Sequence, residues 1–325
     1  MRRLRQEACR ADGMPRAAAD VPTNVEIPPL LHPRLRSVLI PLAVTLAGLA
    51  GPRFAVAAEW DADAQAGIGY DSNLGRAASA EDRRADAAIL ASASAGAAQQ
   101  AGTADRVRAG LGVSAELRTR FTGLTEVDVT GTAQWRHKFG LGLTATWAML
   151  AASATRIDSH DPIRDGERYL VEFSVGRRVD ERFQVGAATG WERRRAGDFP
   201  LVPGISGATF DLVAWNASVN ASYAPDDAWL LGGQYDVRRG DVVSVSQRGP
   251  AIFFASSAIA EDPALGPELY AYRLRGTSQT PSAYASYALD DHASINLSYA
   301  FEYTRSAAAL NYRTHLASFT YAYRY

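Results

Sequence analysis

The chain has 325 residues, 47% hydrophobic and 21% charged, with one cysteine and a formal net charge of −1. A balance this close to neutral lacks the basic excess of a nucleic-acid-binding protein, and one cysteine cannot build a disulfide framework. No apolar run is long enough to span a bilayer as a helix.

Residues 1–57 read as a leader. Residues 1–33 form an irregular extension with arginine and proline, and 34–57 have the layout of a signal peptide. Arg34 and Arg36 precede the short apolar run Ser37–Gly51, and Ala55-Val56-Ala57 supply small residues for cleavage. Cys9 falls in the part removed. Residues 1–57 hold eight arginines and four acidic residues, so residues 58–325 hold 26 basic and 31 acidic groups, net −5.

From Glu59 onward the recurring pattern is period-two alternation in pieces of about 10 residues, the length of a tilted membrane strand. The first piece, Trp60–Tyr70, sets Ala62, Ala64, Ala66, Ile68 and Tyr70 against Asp61, Asp63 and Gln65. The second, about Ala87–Ala98, alternates alanine with Ser92, Ser94 and Gly96. The third (Arg106–Thr119) sets Val107, Leu111, Val113 and Leu117 against Arg108, Glu116 and Arg118. The fourth (Leu124–His137) sets Val127, Val129 and Trp135 against Glu126, Asp128 and Arg136.

In the fifth (about Leu141–Arg156), Leu143, Ala145, Trp147 and Met149 are expected to face outward. The sixth (Arg168–Val179) and seventh (Phe183–Arg194) meet at Asp180-Glu181; the eighth (Asp211–Tyr223) and ninth (Ala228–Arg239) meet at Pro225-Asp226-Asp227, where Pro presets φ and Asp caps the turn. Residues 240–281 are left unassigned, with an apolar island Ala251–Phe254. Then come Ser282–Leu289, an Asp290-Asp291 turn, Ala293–Thr304 and the terminal piece Leu310–Tyr325, twelve strands in all.

The connections follow the strand count. Alternate junctions are mostly tight turns (near 99–105, 138–140, 180–182, 225–227 and 290–291), and those between them include the long ones (71–84, 157–167, 195–208 and 240–281). Short turns on one side and long loops on the other are what bacterial outer-membrane barrels show. The expected fold is therefore all-β: a monomeric, transmembrane, antiparallel up-and-down barrel over residues 58–325. A soluble sandwich also alternates, but the inward residues here are Ser, Thr, Asn, Gln and charged groups, from which no dry core can be built.

The last piece ends on Ala317, Phe319, Tyr321, Tyr323 and Tyr325 at every second position. A chain that stops this way resembles a Gram-negative outer-membrane β-barrel protein. The resemblance implies an outer-membrane location, contact with outer-membrane lipid and lipopolysaccharide, and reading of the four aromatics as a signal by the barrel-insertion machinery. Gly69-Tyr70-Asp71-Ser72-Asn73, at the end of the first strand, is similar to the start of the barrel domain of surface lipoprotein assembly modifiers. That likeness implies a periplasmic or surface export partner, although here the barrel follows the leader without a helical-repeat domain. The motif also reads as a strand end turning through Asp, Ser and Asn.

Fourteen charges are expected inside: Asp61, Asp63, Arg108, Glu116, Arg118, Glu126, Asp128, Arg136, Glu172, Glu192, Arg194, Asp236, Arg238 and Glu302. They serve either as rings that set the selectivity of a polar pore or as ion pairs that fill a small barrel. Asp158-Ser159-His160-Asp161 sets a His beside carboxylates and His292-Ala293-Ser294 a His beside a Ser, but both lack the further groups a hydrolase needs, and His315 falls on the outward face. The Asn216 and Asn220 sequons are better explained by alternation on a wet face. No metal or cofactor and no enzymatic activity are expected. A small porin-like channel for polar solutes comes first, an export or surface-assembly barrel second and an outer-membrane hydrolase third.

Overall fold

A computed structural model describes residues 58–197 and 208–325. The extension and signal peptide lie outside the described residues. The ring strands in its first part are β1 (Glu59–Asp71), β2 (Asp86–Gln100), β3 (Asp105–Arg118), β4 (Glu126–Phe139), β5 (Thr146–Ser159), β6 (Gly166–Arg178) and β7 (Phe183–Ala196). They continue with β8 (Leu212–Tyr223), β9 (Trp229–Ser246), β11 (Tyr270–Ala288), β12 (Ala293–Ser306) and β13 (Asn311–Arg324). A one-turn-scale helix α1 (Pro250–Ala255) and a short strand β10 (Ala258–Glu261) lie between β9 and β11.

Each ring strand pairs antiparallel with its neighbours in chain order, β9 with β11, and β13 pairs back onto β1. That closure makes a twelve-stranded barrel. In hydrocarbon a backbone N–H or C=O has no water to bond, so a sheet must have no open edge, and pairing the first strand to the last supplies this. The register Tyr70↔Ala317 to Asp63↔Arg324 places the outward aromatics of β13 beside the outward alanines of β1.

The outer face is apolar and uncovered by protein: Ile68 is 61% exposed, Trp215 63%, Leu297 56% and Phe319 47%. An uncovered apolar belt around a closed sheet is a lipid-facing surface, because a patch of that extent would drive aggregation in water. Trp60, Phe139, Trp229, Tyr287, Tyr323 and Tyr325 mark the rim with the short turns, where amphipathic rings sit between lipid and water. Three of those turns share one device. Asp180, Asp226 and Asp290 each accept two backbone N–H bonds through Oδ1, from the residues two and three positions on, at 2.7–2.9 Å. For Asp290 these two N–H donors, from His292 and Ala293, hold the carboxyl below its ordinary range.

Two sequence expectations are corrected. In β5 the facing is reversed: Trp147 pairs with Lys138 and Gly176, and Met149 with Arg136 and Ser174, so both point into the lumen. Ala148, Leu150, Ala152 and Ala154 face lipid instead. The start of β5 carries apolar residues at consecutive positions, so alternation alone does not fix its phase, and pairing with the charged face of β4 decides it.

The segment 240–281 is not one long loop. β9 and β11 stay in unbroken register from Tyr287↔Trp229 to Tyr270↔Ser246, and β10 adds to the other edge of β11 through Ala258↔Arg273 to Glu261↔Tyr270. A three-stranded sheet thus continues above the barrel wall. Val243, Val245, Ala260 and Ala271 lie on one face; Val242, Ile259, Tyr272 and Leu274 lie on the other, covered by Ile252 and Ala255 of α1 and by Leu310.

Candidate functional site

The candidate site is the lumen together with the structure over its mouth. Halfway along the wall the inward residues other than Glu172 are mostly small or uncharged and polar. Gln65, Ser114, Asn220, Tyr284 and Ser298 are exposed although all point to the barrel interior. Ser298 and Ser318 meet at 2.7 Å, and Thr130 and Thr155 at 3.0 Å, across neighbouring strands rather than across the barrel. The wall is therefore wetted from inside along its middle.

Apart from Glu172, the charges gather toward the two ends. Taking the short-turn end as periplasmic, that end holds Asp61 paired with Arg108, and Asp63 accepting a bond from Ser94 Oγ at 2.9 Å. At the extracellular end Glu116 pairs with Arg118, Asp128 lies 3.8 Å from Arg168, and Glu192 lies 3.4 Å from Arg238. Glu302 accepts from Arg76 at 3.1 Å, and the same guanidinium donates to Asp71 at 2.7 Å. Burial would by itself depress Arg76, but Glu302 and Asp71 outweigh it and hold the guanidinium above its ordinary value.

Glu126 accepts from Ser159 Oγ at 3.3 Å, Asp236 accepts from Gln234 at 2.7 Å, and Arg194 donates to the carbonyl of Arg164. Glu172, near mid-height opposite Ala151 and Gly190, has no salt-bridge partner among the described residues. All fourteen predicted charges face inward, and most pair within one end rather than across the ring. Arg106, Lys138, Arg168, Arg178 and Arg324 share that face and follow from the same alternation. Arg76 does not, because it sits in the β1–β2 loop, where no period operates.

Over the extracellular mouth the loops form a dome. Its core joins Ile163, Phe210, Val245, Ala260, Leu265, Leu269 and Ala271, with Leu74, Phe121 and Leu124 packed against them. These come from the β1–β2, β3–β4, β5–β6 and β7–β8 connections and from the β9–β11 extension, while Leu310 of the β12–β13 loop packs on the other face of that extension. Gly123 and Ala264 belong to connections on opposite sides of the ring, and a Cβ on Gly123 would lie 2.8 Å from that of Ala264. The dome therefore reaches across the opening.

Arg164 pairs with the fully buried Asp262, and its guanidinium lies 4.8 Å over the ring of Phe210. Burial is the largest influence on Asp161 and Asp165 and pushes both carboxyls up. The apolar residues of this dome arrive one or two per loop, and for that reason the sequence shows no second core.

The first-strand motif ties the dome to the barrel. Asp71 Oδ1 accepts from Asn73 N at 2.8 Å, Asn73 Nδ2 donates to the carbonyls of Ala77 and Arg313, and Ser72 Oγ accepts from His315 N at 2.7 Å. Asn73 is fully buried. Val245 N then donates to Gly75 O at 2.6 Å, and Ser244 Oγ to Arg76 O at 2.9 Å, stitching this loop to the upper sheet.

The histidines also have local partners. His160 N donates to Thr125 O, His292 Nδ1 lies 2.9 Å from Arg324 O, and His315 Nδ1 lies 2.8 Å from Tyr299 OH on the outward face. Ser294 points into the lumen opposite Ala322. Phe319, Tyr321, Tyr323 and Tyr325 all face outward, with Tyr325 88% exposed.

No family model matches the sequence, and no curated protein matches it at a significant level. Solved structures do. An outer-membrane channel from Pseudomonas putida F1 aligns with a TM-score of 0.54 at 9% identity, over 85% of this chain and 98% of that one. The NanC porin aligns at 0.44 with 8% identity (81% and 98%), and the KdgM porin in complex with disordered oligogalacturonate at 0.41 with 7% (81% and 98%). At such identities the likeness to the Pseudomonas channel is one of fold. With the lipid-facing belt and the closed ring it supports one conclusion: this chain has the fold of an outer-membrane β-barrel.

Proposed function

We propose that the barrel is a channel for small polar solutes, with the loop dome controlling its extracellular mouth. The observation that carries this is the wetted middle of the lumen, where polar wall residues at Gln65, Ser114, Asn220 and Ser298 stay exposed instead of packing on one another. A barrel that served only as an anchor would gain by filling that space, since interiors pack to high density where nothing must pass. Ion pairs at either end then shape the field that a solute crosses. Outer-membrane lipid and lipopolysaccharide are the partners that the apolar belt calls for, and the barrel-insertion machinery is the reader of the terminal aromatics.

The test is conductance in a planar bilayer, run on the whole barrel and on a variant with 247–269 replaced by a short turn. A salt-proportional step, larger or more frequent in the shortened variant, is expected. Silence from both, with folding confirmed by heat-modifiable gel mobility, would remove the channel reading.

A second reading, assistance in surface assembly of a lipoprotein or polysaccharide, draws on the similarity of Gly69–Asn73 to surface lipoprotein assembly modifiers. The hydrogen bonds of Asp71, Ser72 and Asn73 account for those residue types as a turn, so that reading ranks second. Hydrolysis that depends on His160 or His292 would favour the third reading, an outer-membrane hydrolase.

A further inference from the structure

At the periplasmic end of the lumen, Lys138 of β4 lies opposite Trp147 of β5, and Trp147 lies opposite Gly176 of β6. A side chain on Gly176 would collide with the six-membered ring of the indole, so the glycine gives Trp147 a flat bed on the wall. The guanidinium of Arg136 stacks on the same indole, 4.8 Å from its centroid. Arg178, two residues beyond Gly176, completes the rim, and Arg136, Lys138, Trp147 and Arg178 line a cavity of about 290 Å³ together with Gln184, Leu143 and Ala145.

Arg136 faces Arg106 directly across the β3–β4 pair. Like charges placed opposite one another on a sheet repel and lower stability. Of the acidic groups at the start of β1, Glu59 is engaged by Arg106 at 2.7 Å and Asp61 by Arg108. Among the described residues Arg136, Lys138 and Arg178 have neither a carboxylate partner nor a side-chain hydrogen bond. Three uncompensated cations around an aromatic plate, in a small lumen pocket, are an arrangement that an added anion would stabilise.

We propose that Arg136, Lys138 and Arg178, grouped around Trp147, form a binding site for a small, multiply charged oxyanion of the phosphate or carboxylate class. The contact with Trp147 holds the Arg136 guanidinium at the pocket, and its N–H groups, without a side-chain hydrogen bond among the described residues, are available to bind two oxygens. Lys138 adds a mobile point charge and Arg178 a second fork. The pocket is at the small end for ligand sites, which suits a compact anion and not a polymer. The site does not depend on the barrel conducting.

The experiment is an equilibrium titration of the folded barrel in detergent, followed by tryptophan fluorescence, with inorganic pyrophosphate and citrate as separate probes at low salt. A saturable change is expected with one or both, and it identifies the preferred anion class. The change should vanish from the signal in Trp147→Phe. Affinity should fall about tenfold in Lys138→Gln or Arg178→Gln, the loss of one charge-assisted hydrogen bond. Gly176→Ala keeps every charge but displaces the indole, and should weaken binding as well.

Raising the salt should weaken binding in the wild type and leave little to lose in the triple variant Arg136→Gln/Lys138→Gln/Arg178→Gln. The absence of a saturable change with both probes, or equal affinity in a triple variant shown to be folded by gel mobility, would overturn the proposal. Neither outcome bears on whether the barrel conducts.

Discussion

Gly123 and Ala264 meet above the barrel although six strands separate their connections in either direction around the ring, and a Cβ on Gly123 would stand 2.8 Å from that of Ala264. Two loops held in such contact act as a strut across the mouth. Gly123→Leu would force them apart while leaving the lipid-facing wall untouched. The expected result is a higher open probability or a larger conductance step, with unchanged gel mobility and thermal unfolding of the barrel. Unchanged conductance in a conducting barrel would show that the strut does not govern passage.

The Arg164–Asp262 pair is a second lock on the dome. Asp262 is fully buried and the Arg164 side chain is 17% exposed. Removing one partner from a buried pair leaves an uncompensated charge and costs about 3–5 kcal/mol. Asp262→Asn should therefore loosen the dome, read as faster hydrogen exchange or protease cleavage around 247–269, while the strands keep their protection. The double variant Arg164→Leu/Asp262→Leu should recover much of the loss, because two apolar side chains leave no unpaired charge in the Leu265–Phe210 core.

Much of the barrel is legible in the sequence, and the limits have physical causes. β8 and β12 alternate cleanly because one face meets lipid and the other water, so each position has a single demand. β5 is ambiguous because Trp147, Ala148, Met149 and Leu150 are all apolar, and an inward Trp is needed as the plate for Arg136. The continuation of β9 and β11 to Ser246 and Tyr270 was hidden for a related reason. Above the membrane both faces of that sheet are packed, so alternation between lipid and water stops while the strand goes on. The lumen charges were readable as a set, but their partners were not, since pairings such as Arg238–Glu192 join residues that lie far apart in sequence. Arg76 belongs to no strand and had no signal at all.

The reversed facing of β5 can be checked by labelling. The one cysteine of the sequence, Cys9, lies in residues 1–57, so a barrel of residues 58–325 is free of thiols. A Trp147→Cys variant should react with a charged, water-soluble thiol reagent through the lumen. Leu150→Cys, 46% exposed on the outer face, should react only with a lipid-soluble one. The opposite pattern would restore the outward assignment of Trp147.

Leu297 and Phe319 are direct partners across the β12–β13 pair, and both face lipid. Leu297→Arg or Phe319→Arg should cost about 2–4 kcal/mol where the site lies near the bilayer midplane, less toward a rim. Equilibrium refolding into lipid vesicles measures this. Ser298→Arg, one position along and facing the lumen, provides the contrast and should cost far less. Equal losses at Leu297 and Ser298 would mean that the facing in β12 is wrong.

Tyr325 separates assembly from stability. It is 88% exposed, and its described bond to the rest of the barrel is one from its backbone N–H to Ala62 O at 2.9 Å. Deleting it should therefore change refolding stability in vitro by little, on the order of one net hydrogen bond, about 1 kcal/mol. If the alternating aromatics Phe319, Tyr321, Tyr323 and Tyr325 are the assembly signal, the same deletion should sharply lower the amount of barrel reaching the outer membrane in cells. Loss in cells with refolding intact is the expected pair of results, because it requires a reader of the terminus other than the barrel's own packing. Normal assembly of the truncated chain would show that Tyr325 is an interfacial anchor and nothing more. Equal losses in both assays would place its role in closing β13 onto β1.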